Sequence, residues 1–219
     1  LDFWQCFHND PGVGDFYPAR LEDGRYLRLP LRVLPDGRGR IASLILNQAS
    51  FAVVEALAAA LAESLRPYEL RMVVGLPTLG LTLAAAVARA LGHTRYVPLG
   101  TSRKFWYDDG LSVPLSSVTS PKGEKRLYID PRMVTLLAGR RVALVDDVIS
   151  SGVSMAAGIG LLAAIGVKPV VLGAAMLQTE AWADLLRGWE VAAVLRSPLI
   201  VGDKEEKRGN SQAVQKLKK

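Results

Sequence analysis

Between Arg140 and Ser154 the chain runs through four apolar residues, Val142 to Val145, into two adjacent carboxylates, Asp146 and Asp147. Val148 and Ile149 follow, then Ser150, Ser151, Gly152, Val153 and Ser154, and then a helix-like stretch from Met155 to Ile165 closed by Gly166. This order predicts a buried strand, a tight turn and the amino terminus of a helix. The first N–H groups of a helix lack backbone partners and suit an anion, a phosphate above all. Serine hydroxyls can donate to the same anion, and Gly152 lets the backbone come close to it. The two acids ahead of the cradle can accept hydrogen bonds from vicinal hydroxyls, as on a ribose, or face a magnesium hydration shell. An acidic turn that caps an ordinary helix is the plain alternative. A triphosphate loop is disfavoured because no Gly-Lys-Ser/Thr occurs here.

The rest of the chain supplies a frame for that turn. Phe51, Val54, Leu57, Ala58, Leu61 and Leu65 fall on helical spacing, with Ser50 placed to cap the start and Pro67 after the end. Met72 to Val74 then reads as a short strand, Leu79 to Leu91 as a helix closed by Gly92, and Tyr96-Val97 as another strand. Val142 to Val145, helix Met155 to Ile165, strand Val170 to Leu177, a short helix near Ala181 to Leu186 and a last strand at Val191 to Leu195 continue the pattern. Strands alternating with helices predict an α/β fold with a parallel sheet flanked by helices. Ligands of such sheets bind at the carboxyl ends of the strands. Residues 1–48 read as irregular, with one strand at Tyr26 to Val33. The alternation also breaks at about 101–130, where Pro114, Pro121 and several Ser and Gly predict a lid loop, with an extended piece at Arg126 to Ile129.

The segment Val142 to Ser154 resembles the signature of the type I phosphoribosyltransferases, which bind phosphoribosyl pyrophosphate. The resemblance extends in order over about residues 40–195. It implies that fold: a parallel core at 49–201, a small hood from 1–48, and a flexible lid at about 101–130. It also implies that Asp146 and Asp147, as the catalytic pair, orient the ribose hydroxyls. Val148, Ile149, Ser150, Ser151, Gly152, Val153 and Ser154 would wrap the 5′-phosphate. The turn from Gly75 to Leu81 matches the family's pyrophosphate loop by position. Pro77, Thr78, Leu79 and Gly80 would then hold the leaving group, with Leu79 standing where many purine enzymes carry Arg. Arg103 and Lys104 would assist at the pyrophosphate; an ordinary solvated basic pair is the alternative. Magnesium would arrive with the phosphoribosyl substrate, and a homodimer is expected.

The resemblance bears on the base as well. The Leu44-Ile45-Leu46-Asn47-Gln48 stretch is similar to the xanthine phosphoribosyltransferases, where an Asn meets the purine, so Asn47 is a candidate base contact. Those enzymes also place a Lys near Thr179 after a Glu near Gln178, and this chain has neither. Glu124 is out of register with the lid Glu of adenine-type enzymes. Phe105-Trp106-Tyr107 either closes over a planar base or anchors the lid in the core, and anchoring is the preferred reading. His8 and His93 read as unremarkable, His93 as a surface residue. A purine is expected over orotate, whose negative charge would favour more cations in the lid.

Composition narrows the alternatives. At 219 residues the chain suits one substantial domain with an appendage. No apolar run reaches the ~18 residues of a membrane span, and Asp2, Asp10, Pro11 and Asp15 interrupt any signal peptide. Cys6 is the only cysteine, which excludes an internal disulfide. A cytoplasmic protein is expected. The tail 202–219 holds six basic and three acidic residues, half of the net charge of +6, so no long basic block remains for nucleic acid. The rival to an enzyme is a non-catalytic sensor of phosphoribosyl pyrophosphate with the same fold. Such regulators often carry a nucleic-acid-binding surface, and residues 1–48 show no helix-turn-helix pattern.

Overall fold

The computed structural model describes residues 3–115 and 125–201. The polar tail at 202–219 and the lid tip at 116–124, with Pro121, Lys122 and Glu124, lie outside the described residues. The centre is a five-stranded parallel sheet. Its strands are β4 (Met72–Gly75), β5 (Val97–Pro98), β8 (Val142–Ile149), β9 (Val171–Gln178) and β10 (Val191–Ser197), in the order β10-β9-β8-β4-β5. Helices α1 (Phe51–Leu65) and α2 (Gly80–Ala90) pack with one core cluster, while α4 (Val153–Ala164) packs with the other. All eight residues of β9 are buried, as expected of a strand covered on both faces.

The helices form for local reasons that the sequence carries. Ser50 Oγ accepts from the Val53 N–H and caps α1, whose Val53, Val54, Leu57, Ala58, Leu61, Ala62 and Leu65 are buried. Pro67, with no N–H to donate, falls in the 3-10 turn just after its end. A short helix α3 (Pro131–Val134) is capped in the same manner by Asp130, which accepts from the Arg132 N–H.

Residues 1–48 are not irregular. They build a three-stranded antiparallel hood from β1 (Phe16–Arg20), β2 (Tyr26–Val33) and β3 (Arg40–Ala42). The sequence hides β1 because Pro18 interrupts it, tolerable only where no ladder N–H is needed, and β3 because three residues show no period. The hood is tied to the sheet by a bridge between Arg40 and Ile200, by Tyr17 OH donating to Arg196 O (3.2 Å) and by Gln178 Nε2 donating to Ala42 O (2.6 Å). Trp4, buried, donates from Nε1 to Ser43 O at 2.8 Å and fills the same core.

Three further expectations are corrected. Residues 181–188 are consecutive turns rather than a helix. Thr179 lies in the left-handed region at φ +57, and its carbonyl accepts from Trp182 Nε1, so a side chain takes the acceptor a helix would use. His93 is half-buried, its Nε2 at 3.1 Å from Leu70 O, because the left-handed Gly92 turns it back toward the sheet. Phe105 is 93% exposed and anchors nothing in the core. The lid root is held instead by Trp106 Nε1 donating to Asp130 Oδ2 (3.2 Å) and by a hairpin of β6 (Ser112–Pro114) with β7 (Arg126–Tyr128).

Candidate active site

Strand β8 is four residues longer than the apolar run predicts, so Asp146 and Asp147 lie within the sheet and not on the turn. Asp146 pairs with Ala174 of β9, which keeps the ladder intact past the apolar run. Both acids are buried, 8% and 7% exposed. Burial above all, and then the Asp147 charge, push the Asp146 carboxyl well above the usual carboxylate range. Burial raises Asp147 as well, opposed by hydrogen bonding from Asp146 and from the Val148 backbone. Asp146 Oδ1 also accepts from the Asp147 N–H at 3.0 Å. Two acids held this way are poorly hydrated, and gain most from a ligand that brings hydroxyl donors or positive charge.

The chain then turns through Ser150, Ser151 and Gly152 into α4. Gly152 has φ +80, a left-handed conformation that suits glycine, and starts the helix. Asp146 and Val148 through Met155 line a cavity of about 90 Å³. At ~30 Å³ per water it has the volume of about three waters, the scale of one phosphate group. Ser150, Ser151 and Ser154 all belong to its wall, so the residues expected to wrap a phosphate line one concavity.

Strand order places this cradle beside the Gly75 to Gly80 turn. From β4 the chain moves outward to β5, whereas from β8 it moves the other way to β9 and β10, so β4 and β8 flank a topological switch point. Leu76 N donates to Val145 O at 2.9 Å, tying the turn to β8. Pro77, Thr78 and Leu79 form its surface, with a cis peptide between Pro77 and Thr78. Gly80 is packed so tightly on Asp146 that a Cβ there would lie 2.5 Å from Asp146 Oδ1.

Arg103 and Lys104 are both exposed at the lid root. Arg103 is not a free cation: its guanidinium pairs with Asp109 at 2.8 Å. Asn47 sits exposed in a 3-10 turn before α1 and lines neither the phosphate cavity nor the larger one.

That larger cavity, about 680 Å³, is what sequence reasoning missed. The hood contributes Tyr17, Leu34, Arg38 and Ile41, and the end of β9 and its turn contribute Gln178, Thr179 and Glu180. Arg196 and Ser197 close it from β10, and Ser150 joins it to the phosphate cavity. Tyr17 and Arg196 are 179 positions apart; no local pattern marks such residues, and only the docking of hood on sheet brings them together.

The pattern of the phosphoribosyl transferase domain matches residues 42–188, and the chain belongs to that family. It is thus a phosphoribosyltransferase, an enzyme class that moves a phosphoribosyl group from phosphoribosyl pyrophosphate to a nitrogenous base. The fold is shared with adenine phosphoribosyltransferase from Thermoanaerobacter pseudethanolicus, at 18% identity over 77% of this chain and 95% of that one, with a TM-score of 0.63. It is shared with adenine phosphoribosyltransferase from Rhodothermus marinus, at 21% identity over 76% and 94%, with a TM-score of 0.57. The APRTase from Giardia lamblia complexed with 9-deazaadenine is 18% identical over 72% and 93%, with a TM-score of 0.56. No curated protein matches the chain by sequence. Among the described residues no helix is long and apolar enough to cross a membrane.

Proposed function

We propose that this enzyme transfers ribose 5-phosphate from phosphoribosyl pyrophosphate to a purine, with release of pyrophosphate. The observation that carries the reading is Ser150, which lines both cavities. The 5′-phosphate in the small cavity and a base in the large one then occupy adjoining concavities, as the two ends of one nucleotide require. Their connecting ribose lies over Asp146 and Asp147, which accept its hydroxyls. The backbone N–H groups and hydroxyls from Ser150 to Ser154 hold the phosphate, and the turn Pro77 to Gly80, with Arg103 and Lys104, receives the pyrophosphate.

In the reaction a ring nitrogen of the base forms the bond to the anomeric carbon as the bond to pyrophosphate breaks, and the proton of that ring N–H leaves to water or to the departing pyrophosphate. Positive charge grows on the sugar and negative charge on the leaving group. The chain contributes positioning, preorganised donors for the leaving group, and shielding from water. Magnesium fits this site as part of the substrate. Among the described residues no three His, Cys, Asp or Glu side chains gather as a cage, and magnesium takes one or two carboxylates plus substrate phosphates and water. It would neutralise the pyrophosphate beside Asp146 and Asp147. A cytoplasmic homodimer belongs to the same reading, and light scattering tests its oligomeric part.

A cavity of this size, whose exposed wall is mostly apolar with polar side chains set around it, suits a planar purine. Arg38 and Arg196 in the same wall favour a second reading, an anionic base such as orotate, although Asp36 pairs with Arg38 and Glu180 opposes the charge. Each base is incubated with phosphoribosyl pyrophosphate and magnesium and the released pyrophosphate is measured. Turnover with a purine supports the proposal. Turnover with orotate and no purine replaces it by the second reading.

A further inference from the structure

The loop that lines the small cavity rests on two side chains that line neither cavity, Leu186 and Trp182. Gly152 is buried and holds φ +80 at the start of α4. Apart from its chain neighbours, the atoms nearest to where a Gly152 Cβ would stand are Leu186 Cγ at 3.3 Å, Leu186 Cδ1 at 3.4 Å and Trp182 Cβ at 3.4 Å. Leu186 is 2% exposed, in the core cluster that also holds Ile149 and Met155 from the two ends of the loop. Trp182 is half-buried and packs against the same cluster.

Trp182 is itself fixed by a strained residue. Thr179, at φ +57, is β-branched and yet left-handed. Three hydrogen bonds hold it there. Its N–H donates to Ser197 O (2.8 Å), its Oγ1 accepts from the Ala181 N–H (3.3 Å), and its carbonyl accepts from Trp182 Nε1 (3.1 Å). The Leu186 N–H donates to Trp182 O at 3.0 Å, so one turn sets both the indole and the leucine. Strained residues persist only where their surroundings over-determine them, and they gather at functional sites.

We propose that Leu186 and Trp182 are positioning residues for the 5′-phosphate, acting through Gly152. N–H groups hold a phosphate well only when their loop keeps its geometry, and packed side chains with fixed rotamers keep it. Gly152 has no Cβ, so the loop lies directly on these two side chains. The inference rests on the proposed function and adds to it the residues that stiffen the phosphate subsite. The pyrophosphate turn is carried by β4 and α2 instead, so the two ends of phosphoribosyl pyrophosphate respond separately.

The test measures calorimetric affinity for ribose 5-phosphate and for magnesium pyrophosphate in wild type, Leu186→Ala, Leu186→Met and Trp182→Phe. Leu186→Ala removes the atoms nearest Gly152 and weakens ribose 5-phosphate roughly tenfold or more, the worth of one hydrogen bond to a charged group. Leu186→Met keeps the volume and restores wild-type affinity. Trp182→Phe keeps Cβ and a ring but loses the bond to Thr179 O, and weakens ribose 5-phosphate roughly three- to tenfold. It remains informative if Leu186→Ala fails to fold. Pyrophosphate affinity stays within about twofold throughout, less than one hydrogen bond's worth. Unchanged ribose 5-phosphate affinity in folded Leu186→Ala or Trp182→Phe overturns the assignment. An equal loss for both ligands also overturns it, because general loosening then accounts for the effect. A wild-type enzyme that binds neither ribose 5-phosphate nor phosphoribosyl pyrophosphate removes the proposed function itself and this inference with it.

Discussion

Gly80→Ala tests how closely the Gly75 to Gly80 turn and the Asp146–Asp147 pair are coupled. The new Cβ would lie 2.5 Å from Asp146 Oδ1 and 2.8 Å from Asp146 Cα. Non-bonded carbons settle at about 3.5–4.0 Å, so the start of α2 and strand β8 must part by roughly 1 Å. The atoms in the way include backbone, which cannot swing aside as a long side chain would. Overpacking of this kind costs about 1–3 kcal/mol, against a total stability of about 5–15 kcal/mol. Alanine's better helix propensity returns less than about 1 kcal/mol. The larger effect is on rate, because a misplacement of about 1 Å between reacting groups lowers turnover about 100-fold. Urea unfolding and kcat/KM for phosphoribosyl pyrophosphate measure the two effects. Gly160→Ala is the control: nothing lies within 4 Å of its Cβ in helix α4, so it gains about 0.5–1 kcal/mol. Wild-type kcat/KM in Gly80→Ala would refute the coupling.

Three more outcomes follow from the same coordinates. Asp146→Asn with Asp147→Asn abolishes phosphoribosyl pyrophosphate binding in calorimetry. Because burial raises both folded values, their favourable contribution is complete below the unfolded value of about 3.9 and is lost as pH rises through the folded ones. The unliganded double variant therefore gains Tm over wild type as pH rises, and a gain that shrinks with pH contradicts the burial argument. Asp109→Ala releases Arg103, so KM for phosphoribosyl pyrophosphate falls while stability barely moves, as expected for an exposed pair; a raised KM shows that Arg103 serves elsewhere. Hydrogen bonds from Arg132 hold Asp130 down to about 2, so its grip on Trp106 persists above the ordinary carboxylate range and is lost as pH falls through about 2. Trp106 fluorescence changes in that acid window in wild type, and an identical change in Asp130→Ala rules out the carboxyl as its cause.

The sequence by itself determined the parallel α/β core, the helix start at Ser50 and the turn from Ser150 into the helix at Val153, because period, capping and turn chemistry are local properties. It also marked the residues that line the small cavity, since strand, turn and helix start are consecutive along the chain. It misjudged where β8 ends: two carboxylates look like a turn until the neighbouring strand β9 is present to bury them. It gave Arg103 no partner, because nothing in the spacing distinguishes a free basic residue from one held by Asp109. Only the tertiary structure decided the larger cavity. Tyr17, Gln178 and Ser197 come from the hood and from two strand ends, and Gln178 reaches Ala42 across 136 positions. Such contacts depend on how the apolar face of the hood docks on the sheet, and that docking is a property of packed surfaces that no local run of residues encodes.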